Sequence, residues 1–447
     1  MNNKPLLIKN AWLCQIDSGT VNPFFGNMLI ENGIITQINS ADVSIQQKDF
    51  DIIDAQGRVV TIPNVNFHDH IYSRLAKGLP SLGSMQNFTE ILENLWWKLD
   101  QILDFAMIKA SAYMAAVESI RYGVTYIFDH HSSPLHTIGS LKILKDALSE
   151  FSIRNVLCFE TTDRNGEQLK LEGIKENQEF FLHNTDENSE SVFGLHASFT
   201  VEDSTLSAVR NFLEKNKIGI HIHLCEDESD RSMSLQKYGK LPVQRLLDFN
   251  LLNDKSILVH GVHLTKEEFD SIKSIKPALA VNLDSNLNNA VGTPKFENIP
   301  EEIPILCGTD GMHANIPRSQ KQMFLIMRNQ KLSFDKAFYL FRKMYFDQLN
   351  FIKKYFPDFL SLQVGNRADL IIWDYVPPTP MNQNNFFGHY VYGILERQVH
   401  SVIQNGKVLM NNFNLTDVDE TKFNNYIYEQ GKRLAKGLTQ PFPKGRA

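Results

Sequence analysis

The sequence predicts an α/β fold, a (β/α)8 TIM barrel carrying a small discontinuous β-sandwich domain built from both chain ends. Three observations predict it. Eight strand-like runs alternate with helical patterns across roughly 250 residues, the span such a barrel needs. Both ends of the chain instead hold short strands separated by turn residues. Many of the 14 histidines fall where a barrel strand would end, and this architecture draws its reactive groups from those ends.

The first part of the sandwich is expected over residues 1–62. Leu6-Leu7-Ile8, Met28-Leu29-Ile30, Ile34 to Ile38 and Val59 to Ile62 read as strands. Asp17-Ser18-Gly19, Asn32-Gly33 and Gln56-Gly57 separate them, and Asn-Gly is a strong hairpin signal. The barrel is expected over 63–362. Its strands are placed at 65–68, 125–130, 154–159, 192–196, 219–224, 256–260, 278–282 and 304–310, with helical patterns between them at 107–122, 141–151, 204–215 and 242–249. The β pattern returns over 363–415, where 368–373 and 399–408 read as strands and Asn405-Gly406 as a second hairpin step. A polar helical tail is expected over 416–447. Pairing between the two end segments would cover exposed strand edges.

Composition excludes several classes. Lys+Arg totals 45 and Asp+Glu 51, a net charge of −6 with no basic block, so nucleic acid is not an expected partner. No run reaches the ~18 apolar residues that a membrane span needs. The start, with Lys9, Asn10 and Asp17 close behind Leu6-Leu7, does not read as a signal peptide. Cys14, Cys158, Cys225 and Cys307 lie far apart, which suits a reducing cytoplasm and offers no cysteine zinc site.

The histidines carry the chemistry. His68-Asp69-His70 ends the first barrel strand. Residues at i and i+2 share a face, so both imidazoles can reach one cation; alone, the pair is also compatible with two loop histidines. His221-Ile222-His223 ends the fifth strand, with Glu226 three residues on. There the bland alternative makes His221 a satisfied core residue and Glu226 the start of a solvated acidic run. His260-Gly261-Val262-His263 ends the sixth strand and Thr309-Asp310-Gly311 the eighth; the latter also reads as a plain turn. Together, three imidazoles and a carboxylate make an N3O site suited to Zn²⁺, Fe²⁺ or Mn²⁺. A cation in such a site lowers the pKa of bound water toward ~7 and so supplies hydroxide at neutral pH.

These stretches, with Gly365-Asn366-Arg367-Ala368-Asp369-Leu370-Ile371, resemble the amidohydrolase superfamily, in its branch of cytosine, guanine and adenosine-type deaminases and triazine chlorohydrolases. More narrowly the chain is similar to SsnA-like aminohydrolases. That similarity runs through Glu93 to Asp100, Phe128 to Pro134, His196 to Thr200 and Ser285 to Gly292. The resemblance implies one divalent ion, zinc first with iron or manganese as alternatives, held by His68, His70, His223 and Asp310. It also implies that Glu226 shuttles protons, that His260 orients the attacking hydroxide as an outer partner or long ligand, and that Asp310 takes the water proton. His196 matches a strand-four histidine that touches substrate in related deaminases. No lysine near 192–198 is placed to bridge two metals.

The expected reaction is hydrolytic deamination of a C–NH2 carbon in a purine, pyrimidine, pterin or triazine-like ring. A different leaving group, as in a chlorohydrolase or amidase, is the alternative; an inactive binding scaffold is a weaker one, because every ligand position is filled. Trp96, Trp97, His131, His196 and His313 are candidate substrate contacts. The expected partner is a small molecule, with neither nucleic acid nor membrane, and the expected assembly is a homodimer. Three departures from the family pattern, Pro63-Asn64 before the first strand, Asn282-Leu283 before Ser285-Asn286 and the added imidazole of His313 just beyond Asp310, touch none of the proposed ligands.

Overall fold

The computed structural model describes residues 4–40, 50–80 and 82–439. Parts of the first sandwich segment and of the helical tail, residues 1–3, 41–49 and 440–447, lie outside the described residues. The chain divides into two compact units: Met1–Val65 with Val117–Tyr126 and Asn315–Val418, and Asn66–Ala116 with Ile127–Ala314 and Asp419–Ala447.

In the first unit, strands from both chain ends join in one continuous nine-stranded sheet. Its order runs Asn414–Leu415, Lys407–Asn411, Val399–Gln404, Leu370–Trp373, Val59–Thr61, Leu6–Asp17, Thr20–Glu31, Ile34–Ser40, with Asp51–Asp54 paired to Leu6–Asp17. The seam between the chain ends is antiparallel, Ile371 facing Thr61 and Ile372 facing Val60. Fully buried Trp373 locks it by donating from Nε1 to Thr61 Oγ1 at 2.9 Å. Both Asn-Gly steps are hairpin turns. Asn32 and Gly33 have φ of 52° and 80°, and Asn405 and Gly406 have 51° and 72°, the left-handed pair that a two-residue turn requires. Helices Ile316–Asn329 and Phe334–Ile352 belong to this unit.

The second unit has a TIM-barrel-type α/β fold. Each of the eight expected runs contains a strand: Asn64–Asp69, Val124–His131, Arg154–Phe159, Phe193–Ala197, Ile220–Leu224, Ile257–His260, Ala278–Val281 and Ile305–Cys307. The first two begin in residues assigned to the other unit. Every residue in the eight strands is buried, as near-continuous apolar strands covered on both faces must be. They form two hydrogen-bonded arcs. The first three, with the short strand Ser189–Ser191, make one; the last five make the other, with parallel pairing throughout. Two isolated parallel bridges, Thr161 with Leu195 and Asp69 with Asp310, connect the arcs at their edges. Expected helices are found at Phe105–Arg121, Ser140–Ser149, Asp203–Leu213 and Pro242–Asp248, and the tail forms Glu420–Leu438.

Candidate metal centre and active-site cavity

Strand ends bring the histidines together. His68 and His70 lie at the end of the first strand and share a face, with ring centroids 4.7 Å apart. His223 ends the fifth strand, and its ring lies 5.1 Å from each of them. His260 closes the sixth. Asp310 follows the eighth, held by its own N–H and that of Thr309, which both donate to His68 O at 3.0 Å. His260, Asp310 and Cys225 all carry left-handed φ values, of 72°, 55° and 50°. Non-glycine residues pay for that backbone with strain, and such strain collects at functional sites.

The ring protons can be placed from the hydrogen bonds. His70 Nδ1 faces His130 O at 2.6 Å and His223 Nδ1 faces His196 O at 2.9 Å. A carbonyl oxygen only accepts, so each proton sits on Nδ1 and each Nε2 keeps its lone pair. Those two Nε2 atoms are 3.1 Å apart, and Asp310 Oδ1 lies 3.2 Å from that of His70. His68 bonds His221 Nε2 through Nδ1 at 2.9 Å, leaving its own Nε2 buried without a hydrogen-bond partner among the described residues, 3.6 Å from Asp310 Oδ1. Lone pairs of His70, His223 and Asp310 thus converge with no proton between them, with His68 Nε2 beside Asp310. Such a cluster is repulsive unless a cation fills it, and the donor set fits a divalent metal.

Burial keeps the imidazoles neutral, the form that ligates metals. It pushes His68 down to about 3, and it drives His223 well below the ordinary histidine range with the neighbouring imidazoles adding to the effect. Burial alone would raise Asp310, but the close imidazoles of His68, His70 and His260 hold it well below the usual carboxylate range. Glu226 goes the other way: burial, then the charge of Asp310, push it well above that range. Two neighbouring carboxylates with opposed proton affinities are the signature of an acid–base pair.

His260 differs from the other three. Asn286 Nδ2 donates to its Nδ1 at 2.8 Å. Its proton therefore sits on Nε2, which faces Glu226 Oε2 at 3.2 Å and Asp310 Oδ2 at 3.8 Å. Asn289 Nδ2 donates to Glu226 Oε1 at 3.2 Å and fixes the carboxyl from behind.

An open cavity of about 630 Å³ leads onto His70, His223, Glu226 and Asp310. Trp96, Trp97 and His196 line it. The two tryptophans come from the segment after the first strand and pack against Phe88, Leu92, Phe199 and Val291. His131 and His313 are not among the lining residues: His131 Nε2 is bonded to Ser133 Oγ at 2.9 Å, and His313 Nε2 lies 3.3 Å from Asp284 Oδ1. Glu160, Arg164, Tyr72 and Asn289 line the cavity without having been singled out in the sequence. Glu160 and Arg164 sit just beyond the third strand, and a carboxylate and a guanidinium four residues apart at a strand end were the available signal.

The model of the amidohydrolase family matches residues 59–345. The chain belongs to the amidohydrolase family. Among its relatives in that family, the 5-methylthioadenosine/S-adenosylhomocysteine deaminase of Thermoanaerobacter pseudethanolicus is 26% identical over 446 residues, covering 97% of this chain and 99% of that one. The 5'-deoxyadenosine deaminase of Methanobrevibacter smithii is 25% identical over 98% and 99% of the two chains. Among solved structures, a zinc-bound adenosine deaminase from Xanthomonas campestris superposes with a TM-score of 0.82 at 18% identity, covering 96% and 98%. That likeness establishes the fold of this amidohydrolase. Among its described residues, no helix is long and apolar enough to cross a membrane.

Proposed function

We propose that this amidohydrolase is a metal-dependent aminohydrolase that removes ammonia from a C–NH2 carbon of a nitrogen heterocycle. The single observation that carries it is the 3.1 Å approach of two proton-free imidazole nitrogens, His70 Nε2 and His223 Nε2, in one cavity with the carboxyl of Glu226. The deaminase names of the full-length relatives support the same reaction.

His68, His70, His223 and Asp310 would hold the ion, and zinc is the metal we infer, in keeping with the zinc of the solved neighbour. When bound, a divalent cation supplies Lewis-acid activation of water at neutral pH. The chain's own residues do the rest. Glu226 carries its proton into the cavity and delivers it to the ring nitrogen conjugated with the reacting carbon. That step raises the electrophilicity of the carbon. Asp310, ionised, accepts a proton from the water that adds there. His260 donates from Nε2 to the developing oxyanion. The returned proton reaches the amine, the C–N bond breaks, ammonia leaves, and a carbonyl remains. Trp96 and Trp97 present aromatic surface on which a flat ring can stack.

We also infer that the two strand arcs close into one (β/α)8 barrel, supported by the bridges at both edges. The nine-stranded sheet is read as the discontinuous sandwich domain, supported by its antiparallel seam between the chain ends. A cytoplasmic homodimer acting on a small molecule completes the proposal; four buried free thiols support the location.

An ammonia-release screen across purines, pyrimidines, pterins and triazines, with zinc-loaded protein, tests the reaction. Ammonia from at least one ring is expected. Chloride or acid release without ammonia would replace the aminohydrolase with another hydrolase.

A further inference from the structure

Besides Glu226 and Asp310, the cavity is lined by a buried glutamate that the proposed chemistry does not use. Glu160 follows the third strand, is 4% exposed, and lines the cavity. Its backbone N–H donates to His131 O at 2.7 Å. Arg164 Nη1 donates to Oε1 at 2.9 Å, while the same guanidinium pairs with Asp100 and lies 5.1 Å from the centre of the Trp97 ring. This clamp orients the carboxylate without covering it. His130 Nδ1 is 3.5 Å from Oε2 and His196 Nε2 is 3.9 Å from Oε1. Burial would raise its proton affinity, yet His196, His130 and Arg164 hold it well below the usual range. Held by the Arg164 guanidinium, Glu160 presents acceptor oxygens to the cavity.

Its position relative to the centre is what matters. Ligand-type atoms of Glu160, His130 and His70 lie within 4.8 Å of one another, as do those of Glu160, His196 and His223. Glu160 thus borders the same two imidazoles that floor the cavity, but it approaches from the third-strand side. Glu226 and His260 approach from the fifth and sixth strands. A ring that points one nitrogen at Glu226 turns the other flank of its reacting carbon toward Glu160.

The chemistry of that flank separates substrates. In cytosine C4 and adenine C6, the reacting carbon has one ring nitrogen and one ring carbon as neighbours, so nothing on the second flank donates. In isocytosine, guanine and pterin, the amino-bearing carbon lies between two nitrogens, one with a lone pair and one with N–H. We propose, resting on the deamination proposed above, that Glu160 selects heterocycles whose reacting carbon is of this guanidine type, accepting the N–H while Glu226 protonates the opposite nitrogen. A ring without the N–H leaves a buried carboxylate oxygen without its bond, and that omission is costly in a closed site.

Calorimetric binding to zinc-loaded, full-length protein tests this with two pairs, isocytosine against its isomer cytosine and pterin against adenine. Isocytosine and pterin are expected to bind at least about tenfold tighter than their counterparts, the low end for a hydrogen bond to a charged group. In Glu160→Gln the preference should fall below about threefold. Equal binding within the wild-type pairs overturns the proposal, as does failure of both isocytosine and pterin to bind. The wild-type ratios decide even if Glu160→Gln does not fold. Glu226→Gln protein, which the mechanism leaves without its proton donor, is titrated in parallel so that binding is read without turnover; absence of ammonia from every ring with wild type counts against the aminohydrolase and leaves the binding ratio to judge Glu160.

Discussion

His260 Nε2 lies 3.2 Å from Glu226 Oε2, and Asn286 Nδ2 donates to the other nitrogen of the same ring at 2.8 Å. The relationship joins a donor from the sixth strand to an acid just past the fifth. It also separates two roles that look alike in sequence. His70 and His223 present lone pairs to one another and to Asp310, whereas His260 accepts from Asn286 at Nδ1 and so carries its proton on Nε2.

Glu226→Gln removes the transferable proton and keeps the shape. The bond from Asn289 can be made to the amide oxygen. Bound zinc per chain should be unchanged while kcat for ammonia release falls about 10²- to 10⁴-fold, the range of general acid–base catalysis. Wild-type turnover in this variant would remove Glu226 from the mechanism.

Asn286→Ala frees the His260 ring to adopt either tautomer. Outer partners of this kind are worth roughly 10- to 100-fold in activity. The drop is expected in kcat with KM and zinc content near wild type, because no metal lone pair is altered. A matching loss of zinc would instead make Asn286 part of the metal support.

Asp230 gives stability a pH dependence. It is 3% exposed, and burial pushes it up to about 7 even though Cys225 N–H donates to its Oδ2 at 2.6 Å. In the unfolded chain an aspartate titrates near ~3.9. Between those values the folded protein keeps a proton that the unfolded chain has lost, so stability declines as pH rises from about 4 to about 7. Asp230→Asn cannot ionise. Thermal melts at pH 5 and pH 8 should show the variant gaining on wild type at the higher pH, by on the order of 1 kcal/mol or more. An equal offset at both pH values would place the Asp230 titration outside this window.

Gly406→Ala tests the packing of the two hairpin turns. Gly406 has φ of 72°, and a Cβ there would stand 2.8 Å from Gly33 Cα. Left-handed strain plus a backbone clash should cost more than about 1 kcal/mol in denaturant unfolding. No loss would mean that the turns can separate cheaply.

The fold was legible because its elements obey local rules. Buried strands such as 154–159 are short apolar runs bounded by polar turns, and both Asn-Gly steps have the φ values that make that dipeptide a hairpin. The four ligand candidates were legible because strand ends converge in this architecture, and His-x-His places two rings on one face. Two things needed coordinates. Pairing between the two ends was expected from their open edges, but which strands meet, Val59–Thr61 with Leu370–Trp373, and that all join in one nine-stranded sheet, were not, because the partners lie some three hundred residues apart. The cavity's second wall was equally hidden. Glu160 and Arg164 look like solvated charges until Arg164 is seen to pair with Asp100 and lie over Trp97, far earlier in the chain, and Glu160 to sit between Arg164 and His130. His131, by contrast, has a sequence context as suggestive as that of its neighbours, yet it hydrogen-bonds Ser133 instead of lining the cavity.

The most direct test of the account is metal stoichiometry by elemental analysis, on wild-type protein and on a variant carrying both His70→Ala and His223→Ala. One divalent ion per wild-type chain is expected, and none above background in the variant. A wild-type chain without metal, or a variant that keeps its ion, would contradict it.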